Sequence, residues 1–113
     1  MSLWPVPITD EHPDTLDSWS IHEVLIAALG APTRHLVGYA VEDREGRVSS
    51  PIVEFDGATR RARTKSGRVY HLQGSPGTDP DADHVWKSWQ KIHKAQVLRE
   101  VTRELFPKSG GAS

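Results

Sequence analysis

A concentration of positive charge marks one hairpin that the sequence predicts. Arg61, Arg63 and Lys65 alternate along its first strand, Arg68 lies at the turn, and His71 lies on the second strand. Guanidinium groups held on a strand match the geometry of phosphates and carboxylates, so this basic stripe can bind a nucleic-acid backbone or an acidic protein surface. A solvated sheet face that resists aggregation is the alternative interpretation.

A second candidate set joins aromatic rings and cations on one predicted helix, where Trp86 and Trp89 are three residues apart. The neighbouring cations are Lys87, Lys91, His93 and Lys94. Aromatic side chains in this setting stack on bases or anchor a protein interface. The same spacing is also what packing against a core requires, and the lysines then form the solvated side of the helix.

Common catalytic motifs are absent from the sequence, which has no phosphate-binding loop, dinucleotide fingerprint, nucleophile elbow or zinc-protease helix motif. His84 with Asp81 and Asp83 comes nearest to a metal cluster, but aspartates at a helix start are typical caps and dipole partners. A metal-independent ribonuclease would use His71 as general acid or base, yet no second proton-transfer partner is identifiable. We therefore expect no cofactor, no metal and no enzymatic activity.

Composition limits the remaining classes. The 113 residues suffice for one domain, with 36% hydrophobic and 26% charged residues and 14 Lys and Arg against 15 Asp and Glu. Such a balance gives no global field towards nucleic acid or anionic lipid. The lack of cysteine, signal peptide and apolar span favours a cytoplasmic protein without membrane contact.

Proline and glycine content predicts an extended N-terminal arm over residues 1–15 and a disordered tail over 107–113, which leaves a single α+β domain at 16–106. Residues 17–29 are ambiguous. Ser20 and Glu23 have the spacing of a helix capping box, whereas the apolar residues around Trp19 also suit a buried strand.

Two hairpins are predicted in the middle of the chain. Strands at 37–41 and 48–55 flank a glycine turn, and Pro51 places the second of them at a sheet edge or a bulge. Strands at 59–65 and 69–73 follow, with Ser66 to Arg68 as a three-residue loop in which Gly67 is left-handed. This register pairs Thr64 with Tyr70 and Ala62 with Leu72, and it puts the basic stripe on the other face.

A helix is expected to start near Ala82 behind Asp79 or Asp81 as cap, with Pro80 in its first turn. The apolar positions change sides beyond Lys94, which predicts a break between 93 and 96 and two short helices. The fold class is therefore α+β, an antiparallel β-meander of four or five strands packed against one or two C-terminal helices.

Several short segments resemble small uncharacterised proteins carried by bacterial phages, plasmids and integrative elements. The matching residues are Trp19–Ile21, Leu36–Gly38, Ser49–Ile52, Ala62–Thr64 and Ser66–Leu72. In that class the tryptophan begins a strand, so the resemblance favours a strand at 17–25.

The resemblance also implies a mobile-element setting, in which many small proteins bind a host protein and some, such as anti-CRISPR proteins, inhibit host defence. It carries no catalytic residues. The near-neutral charge departs from the acidic DNA mimics among these inhibitors.

We therefore expect a non-enzymatic protein-binding module. Its partner would be a host or phage protein with an acidic surface, met by the basic stripe and by exposed parts of the helix at Trp86 and Lys87. Direct nucleic-acid binding by a regulator is the alternative, and it predicts affinity that falls steeply with salt.

Overall fold

The computed structural model describes residues 13–105, except for the side chain of Leu105. Its strands are β1 (Asp14–Ile26), β2 (Thr33–Ala40), β3 (Glu45–Val48), β4 (Ile52–Asp56), β5 (Arg61–Thr64), β6 (Val69–Leu72) and β7 (Ala95–Glu100). A 3-10 turn (Ala27–Leu29) follows β1, and the helices are α1 (Pro80–His93) and α2 (Thr102–Leu105). The sheet is mostly antiparallel, so the α+β class is confirmed. The prediction of four or five strands is wrong, because the sheet contains seven within residues 13–105 alone.

Strand β1 is the centre of this sheet. One of its edges pairs antiparallel with β2. Its other edge pairs with β6 in parallel over Asp14–Leu16 and with β7 antiparallel over His22–Ile26. The pairing with β2 is irregular between Asp17 and Ser20, where Ser18 has a φ of 47°. The parallel contact between β1 and β6 means that the sheet is not the simple meander predicted.

The main core lies on one side of the curled sheet. The sheet order is β3-β2-β1-β6-β5-β4, yet β4 returns to contact β2. The largest fully buried side chains of this core include Trp19, Leu16, Ile21, Leu36 and Leu72. Burial of large apolar side chains is the main favourable term in folding, so this core fixes the curvature of the sheet.

Helix α1 covers the opposite face. Asp79 caps it by accepting a hydrogen bond from the Ala82 backbone nitrogen at 2.9 Å, and Pro80 occupies the first turn, as predicted. Ala82 and Trp86 pack there against Val24 and Val37 in a second apolar cluster. Lys94 follows the last residue of the helix and caps it in the left-handed conformation.

Aromatic stacking joins α1 to the sheet through a ladder of five rings. The ring centroids of His22 and Trp86 are 4.9 Å apart, and those of Trp86 and Trp89 are 5.3 Å apart. Trp89 in turn lies 4.7 Å from both His35 and His93. Because His22 and His35 are cross-strand partners on β1 and β2, this ladder fixes the helix across both strands.

Two segments whose helical character the sequence suggested form strands instead. Residues 17–25 lie within β1, which confirms the strand prediction over the capping-box helix. The predicted break after His93 is present, but the second helix is wrong for Ala95–Glu100, which form β7. The free edge of β1 accepts these residues, and only Thr102–Leu105 become helical.

The hairpin predictions are correct in outline and wrong in detail. The strand predicted at 48–55 is divided, because the stretch containing Pro51 separates β3 from β4. In the β5–β6 hairpin Ala62 pairs with Tyr70 instead of Leu72, so the register is two positions away from the predicted one. The faces survive this shift, since an even displacement preserves alternation, and Gly67 is left-handed with a φ of 92°.

The predicted arm and tail lie largely outside the described residues. Within the arm, Asp14 and Thr15 pair with β6 as the start of β1. The tail predicted at 107–113 falls entirely outside.

Glycine at position 46 has a packing role rather than the turn role predicted for it. Gly46 lies within β3, and the turn before it instead uses Arg44 with a φ of 54°. A Cβ at position 46 would lie 2.5 Å from the backbone nitrogen of Ala82 in α1. We expect Gly46→Ala to lower the free energy of unfolding by about 2–3 kcal/mol, because helix backbone cannot yield as a flexible side chain does.

Urea unfolding measures this effect. Gly57→Ala is the matched control, since its nearest neighbour is the Phe55 ring at 3.7 Å, and it should change stability by less than about 1 kcal/mol. Equal effects of the two substitutions would contradict the close approach of β3 and α1.

The ladder also predicts a pH dependence of stability. Burial lowers the pKa of His22 and of His35 below 6.5. The unfolded chain therefore takes up these protons more readily than the folded one. The contribution of these two histidines to the free energy of unfolding is fully present above pH 6.5. It is lost as the pH falls from 6.5 through their folded-state pKa values.

Urea unfolding at about pH 7.5 and about pH 5.5 tests this sign. His22→Gln should reduce the difference between the two conditions. His84→Gln, at an exposed histidine of α1 outside the ladder, should leave it unchanged. Equal wild-type stability at both pH values would contradict the burial of these imidazoles.

Candidate functional site

The basic stripe is segregated as predicted, but internal carboxylates balance part of its charge. Tyr70 and Leu72 are buried on the core side, which leaves the cations on the other. Arg63 forms an ion pair with Glu54 of β4. Arg68 donates to Asp14 at 2.6 Å. The stripe therefore presents less net positive charge than its sequence indicates.

The other members of the stripe differ from one another. Lys65 is exposed but lies in the turn, one residue beyond the end of β5. Arg61 and His71 are cross-strand partners and half-buried. The Arg61 Nε atom is buried without a hydrogen-bond partner among residues 13–105. Within the described part of the chain, Lys65 and the outer nitrogens of Arg61 have no carboxylate partner, so these groups can bind an acidic partner.

On the helix, Trp86 packs against the protein's own core, which is the second of the two interpretations of this residue. This side chain is 7% exposed and lies between the rings of His22 and Trp89, so it offers little surface to a partner. Lys87 is exposed and forms an ion pair with Asp83 at 3.2 Å. The structure does not bring either residue onto one surface with the stripe, because α1 covers β2, β3 and β7 rather than β5 and β6.

A pocket of about 630 Å³ lies between the outer face of β1 and the first turns of α1. The loop before α1 and the junction of β7 with α2 complete its walls. Its polar lining includes Ser20 and His22 of β1, Asp83 of α1, Glu100 of β7 and Arg103 of α2. The pocket therefore combines hydroxyl, imidazole, carboxylate and guanidinium groups.

A hydroxyl–imidazole pair lies in this pocket. The Ser20 Oγ and His22 Nε2 atoms are 2.9 Å apart. Burial lowers the pKa of His22, and the carboxylate of Glu100, its cross-strand partner on β7, opposes that effect. Glu100 is itself fixed by the Thr102 hydroxyl, which donates to it at 2.8 Å. The neutral imidazole is the form able to accept a proton from Ser20.

Sequence reasoning missed this pair. The sequence draws attention to Ser20 only through its capping-box spacing with Glu23, and none of the predicted sites includes His22. The signal was present, because residues two apart on a strand project from the same face. The pocket that surrounds the pair is not visible in the sequence, because α1, β7 and α2 lie far from β1 along the chain.

The outer edge of β7 forms a second exposed feature. Within the described chain β7 pairs with β1 alone. Val97 and Leu98 on this strand are 40% and 41% exposed, and Ile92, in the last turn of α1, is 75% exposed. We call these three residues and the unpaired backbone of β7 the β7 edge.

Residues 13–105 contain no group of three or more histidine, aspartate or glutamate side chains placed to hold a metal ion. The aspartates near His84 instead lie in the first turn of α1, Asp83 among them, where negative charge stabilises the helix. No helix in this range is both long and apolar enough to cross a membrane.

Comparisons with known proteins give no independent assignment for these surfaces: no family model, no curated protein and no solved structure matches the chain.

Proposed function

We propose that the protein is a protein-binding module that receives an extended segment of its partner at the β7 edge. The observation that carries this proposal is a strand edge that no other strand of residues 13–105 covers, with exposed apolar side chains on the strand and beside it. Unpaired backbone groups at a sheet edge are a template for another strand. Apolar side chains nearby supply the affinity that main-chain hydrogen bonds alone do not.

The charges of β7 favour a defined orientation of the incoming strand. Arg99 pairs with Glu23 and Glu104 at one end of the strand. The other end carries the uncharged residues Ala95 to Leu98. An apolar partner segment with polar residues at one end fits this pattern, and the break in pairing between Glu23 and Val24 limits how far it can extend.

The basic stripe supplies a second binding surface in this proposal. Only Lys65 and the outer part of Arg61 contribute to it, because Arg63 and Arg68 are in ion pairs. These groups favour an acidic patch on the partner. Origin in a mobile element and inhibition of host defence stay predictions that rest on the sequence resemblance alone. Nucleic-acid binding is the weaker candidate, because Arg63 and Arg68 already have carboxylate partners.

Charge placed on the β7 edge tests the proposal. We expect Val97→Lys and Leu98→Lys each to abolish recovery of a specific partner when the tagged protein is used for affinity capture from its source cells, because a lysine cannot be desolvated against an apolar segment. Val53→Lys is the matched control, since Val53 is 55% exposed on β4. It should retain the partner.

The Arg61→Glu and Lys65→Glu double variant measures the contribution of the stripe, and it should weaken the same complex in low salt more than in high salt. Capture that survives both β7 variants would contradict the proposed edge. A gel shift by the wild-type protein that falls steeply with salt would favour the nucleic-acid alternative instead.

A further inference from the structure

Two hydroxyl–imidazole pairs with the same local geometry occur on neighbouring strands. On β1, Ser20 Oγ lies 2.9 Å from His22 Nε2, and on β2, Thr33 Oγ1 lies 2.7 Å from His35 Nε2. In both cases the hydroxyl residue precedes the histidine by two positions. The pairs therefore share one strand geometry and differ in their surroundings.

The β2 pair is closed off. His35 is 1% exposed, and its Nδ1 atom is 2.8 Å from the Ser49 carbonyl oxygen, to which it donates. With the Nδ1 proton fixed there, Nε2 accepts a hydrogen bond from the Thr33 hydroxyl. This pair has a structural role, because both ring nitrogens are satisfied inside the protein.

The β1 pair opens onto the pocket of about 630 Å³, since both Ser20 and His22 line it. The ring of His22 is held against Trp86 with centroids 4.9 Å apart, which fixes the direction of Nε2 towards Ser20. Glu100 lies opposite His22 on β7, and Asp83 and Arg103 also line the pocket. A nucleophile, a base and a carboxylate that favours the protonated base are thus assembled around an open volume.

We propose that Ser20 is a nucleophile activated by His22 and that the pocket accepts small carboxylic esters. This activity goes beyond the proposed protein binding and involves different residues. Ser20 Oγ bonds to the ester carbonyl carbon while its proton moves to His22 Nε2. The carbon–alkoxide bond then breaks, and the alkoxide leaves as an alcohol with that proton.

An acyl group remains on Ser20. Water gives a proton to His22 and attacks this acyl carbon, the bond to Ser20 Oγ breaks, and the proton returns to that oxygen as the carboxylic acid leaves. Glu100 is a positioning residue in this scheme, since it stabilises the imidazolium without touching the ester. Arg103 is the cation among the described residues that line the pocket, and in this scheme it stabilises the negative charge that develops on the carbonyl oxygen.

An alkyl fluorophosphonate, which reacts with activated serines, tests the proposal on the full-length chain. We expect one adduct per molecule, located on Ser20 by peptide mass mapping. Ser20→Ala should eliminate the adduct, and His22→Gln should slow its formation by about 100-fold or more. Ser88→Ala, at an exposed serine of α1, should label like the wild type.

The pH profile separates activation from a merely structural hydrogen bond. Labelling should rise with pH as His22 loses its proton and then level off. Glu100→Gln removes the charge that raises the pKa of His22, so the midpoint of this rise should move to lower pH. Thermal melting of each variant verifies that it is folded.

An unlabelled Ser20 in the folded wild-type protein would overturn the proposal, as would labelling that is insensitive to pH in both the wild type and Glu100→Gln. Val97→Lys should label normally, because the β7 edge is not part of this chemistry. Failure of the protein-binding proposal and failure of this one are therefore distinguishable.

Discussion

The irregularity in β1 at Ser18 is the constraint on which the rest of the structure depends. In a regular strand residues 16, 18 and 20 would share a face, and Leu16 and Trp19 would project in opposite directions. The positive φ of Ser18 and the shift in pairing change this alternation, so that Leu16, Trp19 and Ile21 all enter the main core. Ser20 is turned towards the pocket by the same shift.

Neighbouring residues are adapted to this bend. A Cβ on Gly38 of β2 would lie 3.1 Å from the Trp19 Cβ, so glycine allows β2 to follow the distorted segment closely. The Trp19 indole donates to the Gln73 carbonyl oxygen at 3.1 Å, and Gly77 donates to the Trp19 carbonyl oxygen at 2.9 Å. The loop before α1 therefore supplies hydrogen bonds to β1 between the segments that pair with β6 and β7, and this places the start of α1 near Ser20.

Local signals were predictable from the sequence. Asp79 and Pro80 specify the start of α1 through capping and a preset φ, and Gly67 specifies the hairpin turn through its left-handed conformation. Alternation also fixed which residues of the β5–β6 hairpin face the core. These features depend on residues within a few positions of one another, so no knowledge of the fold was needed.

Features that depend on distant partners were not predictable. Residues 95–100 have a pattern compatible with a helix, and they form β7 because β1 offers a free edge 69 to 78 residues earlier in the chain. Gly46 looks like a turn residue until α1 is placed against it. The basic stripe also depends on a distant partner. Its cations are evident in the sequence, but the ion pair of Arg68 with Asp14 is not.

Docking of α1 connects stability to the chemistry of the pocket. The helix forms one wall of the pocket, and it is held to the sheet partly by stacking of Trp86 on His22. Partial burial lowers the pKa of His22 and so favours the neutral ring, which preserves both the stacked contact and the base beside Ser20. Protonation would put a charge between the helix and the sheet and at the same time remove the proton acceptor. The folded pocket and the basic imidazole are therefore favoured by the same conditions, because the half-buried ring of His22 serves both.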